Sequence, residues 1–160
     1  MSASHLEAPL DILIFRDPRE MLAKCSLTPL RGRSGIRFVD YHPERTLDPG
    51  ERILLHVEGD ELTSADAHHG LLLIDCAWRR VPTLQRRLTR APLLRRLPPL
   101  VTAYPRKSKT FADPGAGLAS IEALYAAVHL LWGSRPELLD GYRGREAFLA
   151  ANPWLLARAR

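Results

Sequence analysis

The chain lacks the features that mark the common membrane, metal and redox classes of protein. It has no apolar run of about 18 residues or more, so no membrane-spanning helix is expected. Its two cysteines, Cys25 and Cys76, lack the CxxC spacing, so neither a disulfide nor a zinc site is expected. The adjacent His68 and His69 would point different ways from a helix, and no metal site is predicted.

Familiar catalytic and targeting signatures are also missing. The sequence has no GxGxxG, P-loop, HExxH or GxSxG motif, so it carries no dinucleotide, nucleotide-triphosphate, zinc-protease or α/β-hydrolase signature. The start, MSASHLEAPL, lacks the basic and then apolar pattern of a signal peptide. A cytoplasmic protein is therefore expected.

Acidic residues are absent from one long stretch. Between Arg79 and Lys109 there are ten lysines or arginines and no Asp or Glu, in a chain of net charge +5. Such a run indicates a polyanionic partner, and RNA is the partner predicted here. The alternative is an ordinary solvated face rich in arginine. The predicted RNA contacts are Arg79, Arg80, Arg86, Arg87, Arg106, Lys107 and Lys109.

Short apolar segments alternate with helical patterns over the first two thirds of the chain, which predicts an α/β domain with a mostly parallel sheet. The predicted strands are Leu10–Phe15, Ile36–Tyr41, Ile53–Val57, Leu71–Cys76 and Leu100–Tyr104. The predicted helices are Asp17–Cys25, Ser64–His69 with Ser64 as N-cap, Arg79–Arg90, Ile121–Leu131 capped by Ser120, Pro136–Asp140, Arg145–Ala151 and a last turn at Pro153–Ala159. These elements divide the chain into a flexible N-terminus (1–9), an α/β domain (10–111) and a helical C-terminal part (112–160).

The segment GLLLIDCAWRRV, residues 70–81, is the strongest indication of a site. Its continuous apolar run is typical of a strand buried on both faces of a parallel sheet. Ligands bind at the carboxyl ends of such strands, where Asp75, Cys76 and Trp78 would emerge. From composition alone Trp78 is more simply a core residue, and Ser26 an ordinary capping serine.

Taken in order, several blocks resemble the aminocarboxypropyltransferase family that modifies a pseudouridine of small-subunit ribosomal RNA. The blocks are Lys24-Cys25-Ser26, Leu62-Thr63-Ser64-Ala65-Asp66 with His69-Gly70, Ile74-Asp75-Cys76-Ala77-Trp78, Arg96-Leu97-Pro98 with Leu100-Val101, LASIEA at 118–123, and Phe148-Leu149 with Asn152. The resemblance implies a SPOUT-like fold with a deep trefoil knot and an all-helical C-terminal part. It also implies S-adenosylmethionine (SAM) as cofactor and a C-terminal part that completes the SAM site.

The resemblance assigns roles residue by residue. Ser26 and the backbone N–H of Ser120 would bind the SAM carboxylate, and Trp78 with Val81 would enclose the methyl group. The carbonyl of Ile74 would meet the ribose, and Asp75, the carboxylate closest in sequence to that site, is the candidate base. Backbone atoms of Leu97 and Ala116 would contact adenine. Ala116 lies in a segment, TAYPRKSKTFADPGAG, that departs from the family's Asn-containing loop.

The implied activity is transfer of the 3-amino-3-carboxypropyl group of SAM to N3 of a uridine or pseudouridine, with release of 5′-methylthioadenosine. A monomer acting on ribosomal RNA is expected. Two enzymatic alternatives stay open, an aminocarboxypropyltransferase acting on tRNA uridine and a SPOUT methyltransferase. A third alternative is a non-catalytic RNA-binding factor for ribosome assembly.

Overall fold

Five parallel strands form one sheet at the centre of the computed structural model, which describes residues 9–19, 25–103 and 119–156. The strands are β1 (Ile12–Arg16), β2 (Ile36–Asp40), β3 (Arg52–Glu61), β4 (Gly70–Asp75) and β5 (Leu94–Arg96). The α-helices in these ranges are α1 (Val81–Gln85), α2 (Ser120–Trp132) and α3 (Arg145–Ala151). Short 3₁₀ helices cover Thr28–Leu30, Ser64–Asp66, Trp78–Arg80, Pro136–Leu139 and Pro153–Leu156. None of the described helices is long and apolar enough to cross a membrane.

The order of the strands places β1 and β4 at the middle of the sheet. The order is β2-β1-β4-β3-β5, and every pair is parallel. Arg16 at the end of β1 is in register with both Asp75 at the end of β4 and Asp40 at the end of β2. The carboxyl ends of these three strands therefore lie at the same edge of the sheet.

Both faces of the sheet are covered, as the apolar run of β4 predicts. Alternate residues of a strand point to opposite faces, so Ile12 and Ile14 pack in a large core with α2 and α3. Leu13 and Phe15 point to the other face, where they pack in a smaller core with Leu84 of α1. Burial on both faces is what makes the central strands uniformly apolar.

Four of the predicted strands are confirmed, and the prediction of a strand at Leu100–Tyr104 is wrong. The fifth strand is β5, Leu94–Arg96, which lies a few residues earlier. The backbone N–H of Val101 donates to the Asn152 side chain, and that of Ala103 donates to the Glu122 side chain. The side chains of Asn152 and Glu122 thus accept the hydrogen bonds that a neighbouring strand would accept.

The predicted helices differ from the observed ones mainly in length. The helix predicted over Arg79–Arg90 is a 3₁₀ turn followed by the five residues of α1, and the one at Ser64–His69 is a single 3₁₀ turn. Thr63, not Ser64, is the N-cap of that turn. In the predicted helix Asp17–Cys25, residues 20–24 lie outside the described residues.

The expected fold class, a SPOUT-like fold with a deep trefoil knot followed by an all-helical C-terminal part, is wrong. The described residues form a five-stranded parallel sheet with three α-helices. Ile121, Leu124 and Val128 of α2 share one apolar core with Ile12 and Ile14 of β1. The C-terminal helices pack on the sheet because their apolar residues would otherwise be left in water.

Candidate functional site

Asp75, the last residue of β4, is the centre of a buried polar cluster. The residue is only 7% exposed, and its carboxylate accepts a hydrogen bond on each oxygen. The Ser120 hydroxyl donates to Oδ1 at 2.8 Å, and the Cys25 thiol donates to Oδ2 at 3.1 Å. The Asp75 carbonyl accepts from the backbone N–H of Asp17 at 3.0 Å. Segments far apart in the chain therefore meet at the end of this strand.

Ser26 lies at the same place and contacts the start of α2. Its Oγ accepts a hydrogen bond from the backbone N–H of Ile121 at 3.1 Å. The hydroxyl proton of Ser26 can still be donated to a ligand, because a hydroxyl is both acceptor and donor. The predicted site residues Ser26, Asp75 and Ser120 are thus brought together in the structure.

Ser120 does not cap α2 as the sequence predicted. Ala119 is the N-cap, and Ser120 is the first helical residue. Its hydroxyl is turned to Asp75 instead of to the helix backbone. The role predicted for its backbone N–H, binding of a ligand carboxylate, stays a prediction.

Cys25 is a member of this cluster that the sequence interpretation treated as an unremarkable buried thiol. Burial raises the pKa of Cys25, and the adjacent Asp75 carboxylate raises it further. A hydrogen bond with the buried Arg16 side chain acts in the opposite direction and is a smaller effect. The thiol therefore keeps its proton at neutral pH and donates it to Asp75. The one sequence feature that could have indicated a place for Cys25 in the site is that it directly precedes Ser26.

Trp78 and Val81 lie just beyond the end of β4, as predicted. Trp78 begins the 3₁₀ turn and is 42% exposed, so the interpretation of this residue as a core residue is wrong. Val81 is half-buried and begins α1. An exposed indole beside a polar cluster offers an apolar surface to a ligand. Ile74 and Leu97 are both half-buried and pack against the two cores.

A buried ion pair joins this turn to β1. Arg80 Nε donates to Asp17 Oδ2 at 2.6 Å, and Asp17 is 2% exposed. The guanidinium lies over the ring of Tyr41, 5.5 Å from its centroid. The hydrogen bond that Arg80 donates to Asp17 raises the pKa of Arg80. Arg80, predicted to bind RNA, thus has a carboxylate of the protein as its partner. The two residues are 63 positions apart, so the sequence gives no indication of this ion pair.

Asn152 fixes the loop that follows β5. Its Oδ1 accepts from the Val101 N–H at 2.9 Å, and its Nδ2 donates to the Val101 carbonyl at 2.8 Å. Nδ2 also donates to the carbonyl of Phe148 in α3. This single amide holds the backbone four residues after Leu97, the predicted adenine contact.

Glu122 is fully buried and accepts four hydrogen bonds. Its Oε1 accepts from the Thr102 hydroxyl at 2.6 Å and the Ala119 N–H at 2.8 Å. Its Oε2 accepts from the Ala103 N–H at 2.9 Å and the Tyr142 hydroxyl at 3.0 Å. One carboxylate therefore holds the backbone on both sides of residues 104–118.

The predicted RNA contacts fall into two groups. Arg79 and Arg86 are exposed and Arg87 is half-buried, all in or next to the turn and α1 that follow the site. The other three, Arg106, Lys107 and Lys109, lie outside the described residues, as does Ala116, the predicted adenine contact. Within the described ranges, no group of three or more His, Cys, Asp or Glu side chains is placed to hold a metal ion.

Comparison with known proteins gives a structural match and no sequence match. No protein-family model matches the chain, and no curated protein matches its sequence. The structure is similar to that of the SAM-dependent rRNA:acp-transferase Tsr3 from Vulcanisaeta distributa, with a TM-score of 0.67 and 26% sequence identity. The match covers 93% of this chain and 82% of that one.

Proposed function

We propose that this chain is a SAM-dependent transferase that moves the 3-amino-3-carboxypropyl group to N3 of a uridine or pseudouridine in ribosomal RNA. The observation that carries the proposal is the structural similarity to an rRNA:acp-transferase over 93% of the chain. The cluster of Ser26, Asp75 and Ser120 at the strand ends supports it. Parallel sheets bind ligands at this edge.

The residues at the site fit the chemical groups of SAM. SAM carries a carboxylate, an ammonium, a sulfonium and a nucleoside, and it supplies an electrophilic carbon beside the sulfonium. The Ser26 hydroxyl at the beginning of α2 suits the carboxylate, since helix N-termini favour negative charge. The exposed indole of Trp78 suits a sulfonium methyl, since aromatic faces attract cations.

Orientation is the first task of these residues. Three carbons next to the sulfur are electrophilic, so the protein has to present one of them to the RNA base. Ser26 holds the far end of the aminocarboxypropyl chain, while Trp78 and Val81 cover the methyl group. Fixing the reacting groups in this way removes much of the entropic part of the barrier.

Proton transfer is the second task, and it falls to Asp75. The N3–H of a uracil ring must lose its proton as the new N–C bond forms. Each oxygen of Asp75 accepts one hydrogen bond from the protein, and a carboxylate has about four acceptor positions. Asp75 can therefore accept the N3 proton while Cys25 and Ser120 fix its orientation.

The test is to identify both products. The full chain is incubated with SAM and small-subunit ribosomal RNA, and the nucleosides and small molecules are analysed by mass spectrometry. We expect 5′-methylthioadenosine and a uridine or pseudouridine heavier by one aminocarboxypropyl group. S-adenosylhomocysteine as the only by-product would instead indicate methyl transfer. Absence of SAM binding at millimolar concentration would leave the non-catalytic RNA-binding role.

Three variants separate the roles of the site residues. Asp75→Asn should lower turnover by about 100-fold, since general base catalysis contributes that much or more. Ser26→Ala should weaken SAM binding by about tenfold, the effect of one lost hydrogen bond to a charged group. Ser34→Ala, an exposed serine in the turn before β2, is the matched control and should behave as the wild type. Unchanged turnover in Asp75→Asn would remove this residue from the mechanism.

A further inference from the structure

An open groove lies beside α1, the helix that follows the turn at Trp78. Its volume is about 420 Å³. It is lined by Pro82, Gln85, Arg86, Leu88, Arg90, Ala91 and Pro92. Pro82 directly follows Val81, the residue predicted to cover the SAM methyl group, so in the chain the groove begins one residue after that part of the candidate site.

The wall of the groove is held in place by the fold. Leu88 packs against the core formed by Leu13, Leu54 and Leu84. The backbone on both sides of it is hydrogen-bonded to Leu47, which donates to the Arg87 carbonyl and accepts from the Thr89 N–H. These bonds, at 2.8 and 2.9 Å, form an isolated parallel bridge. The groove is therefore present before any ligand binds.

The chemistry of the lining is that of a nucleotide site. Pro82, Leu88 and Pro92 offer apolar surface to a planar base, and the Gln85 amide offers both a donor and an acceptor to its edge. The guanidinium groups of Arg86 and Arg90 also line the groove. Guanidinium groups bind phosphate through paired N–H donors and stack on bases. Among the residues that the structure describes, no acidic side chain lines the groove.

The two guanidinium groups are available to a ligand to different extents. Within the described part of the chain, Arg86 forms no ion pair, and its side chain is exposed. Arg90 pairs with Asp48 at 3.4 Å, with both side chains more than half exposed. Exposed pairs of this kind contribute little, so a phosphate can replace the carboxylate.

We propose that this groove binds one unpaired nucleotide of the RNA, adjacent in the strand to the nucleotide that is modified. The inference rests on the proposed function, since it takes RNA as the substrate. The volume lies within the range of about 300–1,000 Å³ that small-molecule sites occupy. The base lies against the apolar wall and Gln85 reads its edge, while Arg86 and Arg90 bind its phosphate. An acidic peptide would use the two arginines but would leave the amide and the apolar wall without a role.

The test measures binding of fluorescein-labelled ten-residue oligouridine and oligoadenosine RNA by anisotropy at about 0.15 M salt, where distant charges are screened. The full chain is compared with Arg86→Glu, Arg86→Lys and Gln85→Ala. The matched control is Arg143→Glu, an exposed arginine in the turn before α3 that makes the same change of charge. A labelled ten-residue polyglutamate peptide serves as the competing probe. Melting temperatures verify that each variant is folded.

Arg86→Glu should weaken oligouridine binding by about tenfold or more, and Arg143→Glu by less than about twofold. Arg86→Lys should fall between them, because a lysine keeps the charge and loses the planar donor pair. Gln85→Ala should change the ratio of oligouridine to oligoadenosine affinity. Equal effects of Arg86→Glu and Arg143→Glu would overturn the proposal that the groove binds a nucleotide. Tighter binding of polyglutamate than of RNA would overturn it as well. Neither result would affect the proposed function. A wild-type chain that binds SAM and no RNA would overturn the proposed function itself.

Discussion

Arg80 Nε and Asp17 Oδ2 are 2.6 Å apart, which connects the turn after β4 to the residue after β1. Two residues before Arg80 is Trp78, and the next residue is Val81. The ion pair therefore sets where these two apolar side chains lie relative to the sheet edge. Arg80 belongs to the cationic run predicted to bind RNA, and it binds a carboxylate of the protein itself.

Replacing Arg80 by Met should destabilise the fold more than replacing Asp17 by Asn. Asp17 is buried, so loss of Arg80 leaves a carboxylate without its partner, whereas Arg80 can reach solvent when Asp17 is changed. We expect the melting temperature of Arg80→Met to fall by about 5 °C or more. The double variant should recover part of that loss. Additive effects of the two changes in thermal unfolding would contradict the coupling.

Alkylation of Cys25 should be slow at neutral pH and faster in Asp75→Asn. Burial raises the pKa of Cys25, and the Asp75 charge raises it further, so the reactive thiolate forms only above the ordinary range for a thiol. Removing the charge lowers this pKa and shifts the pH profile of the reaction to lower pH. Iodoacetamide labelling of a Cys76→Ser background, followed by mass spectrometry between pH 7 and 10, gives the profile. Identical profiles with and without Asp75 would show that the two side chains do not interact.

His129 should make the fold sensitive to mild acid. The side chain is 3% exposed, its Nδ1 has no hydrogen-bond partner among the described residues, and its ring meets that of Trp154 edge-on at 5.7 Å. Burial lowers the pKa of His129 in the folded state, so the unfolded chain takes up the proton first as pH falls. The stability from neutral His129 is fully present above a pH of about 6.5 and is lost below it.

Urea unfolding at pH 7.5 and 5.5 measures this effect. The free energy of unfolding should fall by up to about 1.4 kcal/mol per pH unit across the window in which only the unfolded chain binds the proton. His129→Leu should remove this component, and the wild type and the variant should differ in slope. Parallel slopes for the two proteins would assign the acid sensitivity to other groups.

Glu122→Gln should destabilise the protein by about 3 kcal/mol, because the new amide N–H₂ would face donors that now bind a carboxylate oxygen. Tyr142→Phe removes one of the four donors and should cost about 1 kcal/mol. Chemical unfolding of both variants gives the comparison. A smaller loss for Glu122→Gln than for Tyr142→Phe would mean that the carboxylate is not the centre of this network.

The central strands could be predicted from sequence because their burial on both faces leaves an uninterrupted apolar signal. Leu13 and Ile14 point to opposite cores and are both fully buried. Leu100 and Val101 give a similar apolar signal but lie in a loop held by Asn152. No local sequence pattern indicates that the side-chain amide of Asn152, 51 residues away, takes the hydrogen bonds that a neighbouring strand would take. The alternation of strands and helices predicts the parallel sheet, whereas the knotted SPOUT-like fold was implied by the resemblance alone and is wrong.

The site was predicted in part for a related reason. Asp75 follows from the rule that ligands bind at strand ends, which needs only the position of one strand. Its approach to Ser120 spans 45 residues and was expected from the resemblance and not from spacing. The sequence did not indicate the roles of Cys25 and Asp17. The thiol donates to Asp75 and the aspartate pairs with Arg80 only because the fold buries these side chains together.

Because Glu122 holds Thr102, Ala103 and Ala119, the two ends of residues 104–118 are joined through the core whatever sequence lies between them. Loop-closure entropy rises by only about 0.6 kcal/mol for each doubling of loop length. Insertions and exchanges in this stretch can therefore alter its three cations, Arg106, Lys107 and Lys109, with little effect on folding. The contacts at the strand ends can stay the same while this stretch varies.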